Sequence, residues 1–127
     1  MQGLHILADL HDCPSNVLLE SAAQLRKFCL AACARAGLTV LGSHFHQFAA
    51  LGTAGPGGVT GAVVLGESHL AIHTWPERAG ATLDIYTCNV AADNSARAEA
   101  LYAFLHDALA PRESTVERVW RGRGPAQ

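Results

Sequence analysis

Hydrophobic and polar positions alternate in some segments of the chain and recur at helical spacing in others. Within residues 4–10 the even-numbered positions are all apolar, which is typical of a strand with one buried face. After a turn at residues 13–16, apolar residues follow a helical spacing until Gly37, and this predicts one amphipathic helix. Its apolar stripe consists of Leu18, Ala22, Leu25, Cys29, Ala32 and Ala36.

The remaining pattern consists mostly of short strands. Their alternation or their β-branched and aromatic content predicts strands over residues 38–48, 59–65, 69–75, 81–88 and 114–120. A glycine-rich loop, residues 49–58, separates the first two of these strands. A second helix is predicted to begin near residues 92–95 and to stop at Pro111. Residues 122–127 form a polar tail.

This order of elements predicts an α+β fold. Strand, helix, several consecutive strands, helix and strand favour a two-layer sandwich, in which an antiparallel-rich sheet carries two helices on one face. The other face of the sheet then needs a cover. A mean hydropathy of +0.16 and alanine-rich segments favour an oligomer, so we expect a second copy of the chain to supply that cover.

Composition narrows the classes of function. A length of 127 residues, with 50% apolar and 16% charged positions, fits one globular domain spanning residues 1–127 with no membrane segment. The net charge is −2 and the only basic cluster is Arg118, Arg121 and Arg123, so nucleic acid is not an expected partner. The first residues do not resemble a secretory signal, so we expect the four cysteines to be unpaired in a reducing cytoplasm.

Four of the seven histidines form two close pairs, which raises the possibility of a metal site. On a strand, His44 and His46 share one face, and so do His69 and His73. Zinc requires three or four converging ligands, and neither a Cys-x-x-Cys nor a His-Glu-x-x-His pattern is present. We therefore expect no metal, and we expect Cys29 and Cys33, one helical turn apart, to lie in the core.

Ser68 stands in a turn between two apolar strands and has two interpretations. It is either an ordinary turn residue or a nucleophile that attacks the carbonyl of Glu67; elimination from the resulting ester would release residues 1–67 and leave a pyruvoyl group at position 68. Such a cleavage needs nearby acid–base groups. His73 offers an imidazole, and Thr60 offers a hydroxyl to stabilise the tetrahedral intermediate.

Two stretches around this serine carry a family resemblance. Residues 67–77, Glu-Ser-His-Leu-Ala-Ile-His-Thr-Trp-Pro-Glu, followed by residues 84–88, Asp-Ile-Tyr-Thr-Cys, closely resemble the short, pyruvoyl-dependent prokaryotic S-adenosylmethionine decarboxylase proenzymes. Residues 12–13 and residues 42–48, Gly-Ser-His-Phe-His-Gln-Phe, also look like that family. The resemblance extends from residue 4 to about residue 111.

The resemblance implies roles for individual residues. Ser68 becomes the pyruvoyl group, His73 takes the proton that permits elimination from the backbone, and Cys88 reprotonates the carbanion of the product. Glu77 holds a ribose diol of the substrate, and Phe48 provides a ring on which adenine stacks. The pyruvoyl carbonyl forms a Schiff base with the α-amine of the substrate, so no separate cofactor is required.

The resemblance also implies an assembly. The processed protomer consists of a β chain, residues 1–67, and an α chain, residues 68–127. Two protomers stack sheet on sheet into a four-layer α/β/β/α homodimer with shared active sites. In each site Ser68 and Cys88 of one protomer face Thr60, His73 and Glu77 of the other.

The chain departs from the family pattern at four places. Thr60 replaces a serine, which keeps the hydroxyl and adds a methyl group. The loop 49–58 is longer than usual, residues 78–80 lack an aromatic, and Asn89 stands where glycine is common.

Three functions remain open at this point. The leading hypothesis is decarboxylation of S-adenosylmethionine, which makes the aminopropyl donor for spermidine synthesis. The alternatives are a pyruvoyl decarboxylase of ornithine or arginine, and an uncleaved metal-binding or interaction module that uses the paired histidines.

Overall fold

The molecule is a single antiparallel sheet with helices packed on one face. The computed structural model describes residues 2–50, 52–66, 68–90 and 92–122. The strands are β1 Gly3–His11, β2 Val40–Gln47, β3 Val59–Leu65, β4 Ser68–Trp75, β5 Gly80–Cys88 and β6 Glu113–Arg121. The helices are α1 Val17–Glu20, α2 Ala22–Arg35 and α3 Ser95–Leu109, and short 3-10 turns occupy Gly52–Ala54 and Pro76–Arg78.

The six strands lie in the order β2-β3-β4-β5-β1-β6, and every neighbouring pair is antiparallel. Helix α2 packs on β2 and β3, whereas α3 packs on β1 and β5. Both main helices therefore cover the same face of the sheet. The predicted two-layer α+β fold with an antiparallel sheet is confirmed.

Alternation along the strands separates a core face from an open face. In β4 the side chains of Leu70, Ile72 and Thr74 are buried beneath the helices, whereas His69 and His73 alternate with them and are only partly covered. Strand β5 repeats the pattern with Leu83 and Ile85 in the core. The open face of the sheet thus carries polar and half-buried residues with no helix above them.

The prediction of one continuous helix from the first turn to Gly37 was wrong at Ser21. This residue has extended backbone angles (φ −120°, ψ 116°), so it ends α1 and begins α2. Its hydroxyl accepts a hydrogen bond from the backbone N–H of Gln24, as an N-cap serine does. The apolar stripe continues across the break, which is why periodicity alone does not reveal it.

Cys29 and Cys33 lie in the core, as predicted, because both side chains are fully buried. Burial raises the pKa of both thiols, with Cys33 reaching about 11. They are therefore neutral at physiological pH, whereas metal binding would need thiolates.

In the described part of the chain, no helix is both long and apolar enough to cross a membrane.

Gly58 is a position where the fold tolerates no side chain. A Cβ atom at Gly58 would overlap the carbonyl oxygen of Thr74 in β4, whereas one at Gly42 in β2 would meet no atom within 4 Å. We expect Gly58→Ala to lower the free energy of unfolding by about 1–3 kcal/mol, because backbone must move to admit the methyl group. Gly42→Ala should change it by less than about 0.5 kcal/mol. Urea denaturation of both variants measures this difference, and equal stabilities would contradict the packing described here.

Candidate active site

Thr60 and His73 lie side by side on the open face. The antiparallel register of β3 and β4 places Thr60 directly opposite His73. A hydrogen bond of 3.0 Å joins Thr60 Oγ1 to His73 Nδ1. This bond uses one ring nitrogen of His73 and leaves Nε2 available for proton transfer. The hydroxyl and imidazole named from the sequence are therefore in direct contact.

A cavity of about 300 Å³ opens beside this pair. Its walls include Phe48, which follows β2, and Glu77, which stands in the short turn after β4. Trp75 also lines the cavity, and its ring lies 6.2 Å from that of His73. The cavity thus combines aromatic rings, a carboxylate, a hydroxyl and an imidazole. We call this set, Phe48, Thr60, His73 and Glu77, the loop end of the sheet.

Ser68 stands at the opposite end of β4. It is the first residue of the strand, and its hydroxyl donates a hydrogen bond of 3.2 Å to the carbonyl oxygen of Gly66. Gly66 is itself held by a hydrogen bond of 3.0 Å from its N–H to the carbonyl of Thr39. Glu67, which the sequence predicts to precede the cleaved bond, lies outside the described residues.

Cys88 ends β5 at the same end of the sheet as Ser68. Its side chain is only 3% exposed, and the register of β1 and β5 places it opposite Gly3. The side-chain Nδ2 of Asn94 donates a 2.8 Å hydrogen bond to the Cys88 carbonyl, and its Oδ1 accepts one of 2.6 Å from the Arg97 guanidinium rather than capping helix α3. Partial burial and the neighbouring Cys88 thiol raise the pKa of Tyr86. We call Ser68 and Cys88 the hairpin end.

One chain does not bring the two ends together. His73 lies five positions after Ser68 along the strand, which corresponds to about 17 Å. Alternation also puts them on different sides of β4, since Ser68 falls on the side of the buried Leu70. Within a single protomer, His73 therefore lies out of reach of Ser68.

A charged and aromatic cluster occupies the open face between the ends. His5 Nε2 lies 3.0 Å from Asp84 Oδ1, and the His5 ring packs edge-on against Tyr86 at 5.7 Å. The Arg121 guanidinium lies 4.8 Å from the Tyr86 ring centroid. Among the residues that the structure describes, no three His, Cys, Asp or Glu side chains converge as metal ligands would.

Sequence reasoning missed two residues near the cavity. Trp75 lines it, and its position in alternation with His73 was the available signal. The side chain of Gln47 contacts the backbone where the glycine-rich loop 49–58 ends, close to Phe48. It also bonds to Glu20 and Ala22, which are so distant in sequence that no local pattern could reveal the contact.

Comparison with known proteins places this geometry in a family. The family model for S-adenosylmethionine decarboxylase matches residues 4–122. An S-adenosylmethionine decarboxylase proenzyme of Persephonella marina is 45% identical over 86 residues, which cover 68% of this chain and 59% of that protein. This match thus spans less than two thirds of that relative. A proenzyme of the same name from Shouchella clausii is 35% identical over 125 residues, covering 98% of this chain and 88% of that protein.

A solved structure agrees with the fold. The crystal structure of the adenosylmethionine decarboxylase from Aquifex aeolicus superposes with a TM-score of 0.77 at 33% identity, covering 98% of this chain and 92% of that one. The matched family model covers the strands, the helices and both ends of the sheet. This chain therefore belongs to the S-adenosylmethionine decarboxylase family.

Proposed function

We propose that the chain is a self-cleaving proenzyme whose mature form decarboxylates S-adenosylmethionine. The observation that carries the proposal is the Thr60–His73 hydrogen bond at the wall of a cavity that also contains Phe48 and Glu77. A general base, a hydroxyl donor, a stacking ring and a carboxylate at one site suit acid–base chemistry on a nucleoside-bearing substrate.

The first step is a rearrangement at Ser68. The Thr60 of this step and the His73 of the next belong to the other protomer of the homodimer proposed below. Its Oγ attacks the carbonyl carbon of Glu67, the peptide C–N bond breaks, and an ester replaces the peptide while the nitrogen of residue 68 becomes a free amine. The Thr60 hydroxyl donates to the developing oxyanion of the tetrahedral intermediate. The bond from Ser68 Oγ to the Gly66 carbonyl shows that the hydroxyl already lies against the backbone of the turn.

The second step cleaves the chain. His73 accepts the proton from Cα of residue 68. The bond between Cβ of that residue and the ester oxygen then breaks, so that the 1–67 fragment leaves as a carboxylate. The enamine that remains becomes an imine, and water hydrolyses it to a ketone and ammonia. Residue 68 then begins a new chain, and the peptide link to Glu67 no longer holds it on the core side of β4.

The residues at the hairpin end fit a pyruvoyl group at position 68. The site is half-buried, it starts a strand, and it shares its end of the sheet with the shielded Cys88 thiol. When formed, the group supplies a carbonyl that condenses with the substrate amine and draws electrons from the carboxylate-bearing carbon. The Cys88 thiol returns a proton to that carbon after carbon dioxide has left.

The loop end suits the nucleoside part of the substrate. The two carboxylate oxygens of Glu77 match the two hydroxyls of a ribose, and the half-exposed Phe48 ring offers a flat face to adenine. Ornithine and arginine have neither a ribose nor a purine, so these two residues favour S-adenosylmethionine. The product would be the aminopropyl donor for spermidine synthesis.

We further propose a homodimer with shared sites. A two-fold axis that lies between stacked sheets and runs across the strands reverses the strand direction. It therefore brings the hairpin end of one protomer over the loop end of the other. This arrangement explains how Ser68 meets a histidine despite the roughly 17 Å that separates it from His73 of its own chain. It also covers the open face of each sheet.

Intact-mass analysis combined with carbon dioxide release tests this proposal. We expect two fragments, 1–67 and a blocked 68–127, and faster release from labelled S-adenosylmethionine than from ornithine or arginine. Faster release from ornithine or arginine would overturn the proposed substrate, whereas the proposed pyruvoyl mechanism would stand. A full-length chain that binds stoichiometric metal would instead support the uncleaved module.

Thr60→Ala is expected to slow the self-cleavage. Loss of one oxyanion donor typically reduces a rate by about 10²–10³-fold. Thr60→Ser keeps the hydroxyl that contacts His73, so it should cleave at least as fast as the natural chain. A time course of intact mass after synthesis measures both rates. Equal cleavage by the alanine and serine variants would exclude Thr60 from processing.

A further inference from the structure

The break between helices α1 and α2 leaves two backbone groups without helical partners. The Glu20 carbonyl ends α1, and the Ala22 N–H begins α2. The side-chain amide of Gln47 meets both: its Oε1 accepts from Ala22 N at 2.7 Å, and its Nε2 donates to the Glu20 carbonyl at 2.9 Å. One glutamine at the end of β2 is thus matched to both groups exposed by the break.

The same amide also lies over the stem of the glycine-rich loop. Gln47 Nε2 is 3.3 Å from the carbonyl oxygens of Phe48 and Gly58, and 3.4 Å from that of Gly57. A backbone hydrogen bond of 3.0 Å from Phe48 N to the Gly58 carbonyl closes this stem. Gln47 therefore connects the stem to the α1–α2 break. In the sequence, Gln47 is at least 25 positions away from the two residues that it contacts at the break.

The stem has little room for adjustment. A Cβ atom at Gly57 would overlap the carbonyl oxygens of Phe48 and Ala49. The ring of Phe48, by contrast, is 50% exposed and packs edge-on against His46 at 4.8 Å. The orientation of this ring at the cavity wall therefore depends on the backbone of the stem more than on side-chain packing.

We propose that Gln47 is a positioning residue for substrate binding, which holds the loop stem so that the Phe48 ring is in place before the substrate arrives. This inference rests on the proposed function, in which Phe48 stacks on adenine. A ring held in its binding orientation avoids the entropy cost of ordering it on binding. Gln47 makes no hydrogen bond to Ser68, Thr60 or His73 in the described structure, so self-cleavage and the chemical step should not need it.

The test compares Gln47→Leu, which removes both hydrogen bonds at similar size, with Gln47→Glu, which keeps the acceptor for Ala22 N and loses the donor. Gln24→Leu is the matched control, because the exposed Gln24 side chain makes no hydrogen bond to a described residue. For Gln47→Leu we expect complete cleavage, kcat within about twofold, and KM raised about tenfold. Gln47→Glu loses the Nε2 that contacts the stem, so its KM should rise as well, and Gln24→Leu should match the natural chain.

Two further measurements separate this role from the proposed function. The dissociation constant of 5′-methylthioadenosine reports adenine and ribose binding without chemistry, and it should rise with KM in Gln47→Leu. Hydrogen exchange at the Phe48 amide should quicken in both Gln47 variants and not in Gln24→Leu. An unchanged KM, or a kcat that falls together with thermal stability, overturns the positioning role. A natural chain that neither cleaves nor binds the nucleoside overturns the proposed function and this role with it.

Discussion

Ser68→Ala is expected to remain a single full-length chain without decarboxylase activity. The alanine has no Oγ to attack the Glu67 carbonyl, so no ester forms, no elimination follows and position 68 keeps its peptide bond. Because the same residue supplies the reactive carbonyl, both cleavage and turnover are lost together. Removal of a covalent catalyst lowers the rate by on the order of 10³-fold or more. Intact mass and carbon dioxide release from S-adenosylmethionine measure the two effects.

Ser114→Ala provides the matched control for this substitution. Ser114 is an exposed serine of β6 whose hydroxyl makes no hydrogen bond to a described residue. Its loss should leave cleavage and activity as they are in the natural chain. A Ser68→Ala chain that still separates into two fragments would place the cleavage elsewhere and remove the basis of the proposed mechanism.

Co-expression of Ser68→Ala with His73→Ala is expected to restore activity that neither variant has alone. In a mixed dimer, one site combines the intact Ser68 of the His73→Ala chain with the intact His73 of the Ser68→Ala chain. The other site carries both substitutions. Random pairing makes about half of the dimers mixed, so activity should recover to about one quarter of the natural level. Differently tagged chains and intact mass show which chain is cut.

The cleaved chain in this mixture should be the one that carries His73→Ala. Each variant purified alone should stay intact, which controls for residual processing. If neither chain is cleaved in a verified mixed dimer, Ser68 uses the histidine of its own protomer. That result would contradict the shared site.

The sheet and the helices followed from local patterns, and the exceptions have physical causes. Alternation predicted β1 and β4 because each has one buried face, whereas β2, which has no buried residue, was predicted from its Val, Leu and Phe content. Gly37 marked the end of the α2 region because it takes a positive φ of 87°. The break at Ser21 was not predictable, since Leu18, Ala22 and Leu25 keep helical spacing across it. What stabilises that break is Gln47, a residue from another strand.

The site was predictable in part for the same reason. Alternation along β4 and its neighbour β3 allowed Thr60 and His73 to share a face, and the structure shows their contact. The specific roles came from the resemblance rather than from spacing. The side chain of Asn94 was harder to foresee, because it does not cap its helix: Nδ2 bonds to the Cys88 carbonyl and Oδ1 accepts from Arg97.

The separation of Ser68 from His73 along β4 has a consequence for timing. In the proposed shared site, the Ser68 of a lone chain has no Thr60 or His73 within reach, so newly made chains at low concentration should remain intact. The rate at which they mature should rise with the square of their concentration, as expected for an encounter between two copies. Dilution can later separate the copies but cannot rejoin the peptide bond. In the proposed mechanism, every cleaved chain has therefore been part of a dimer at least once.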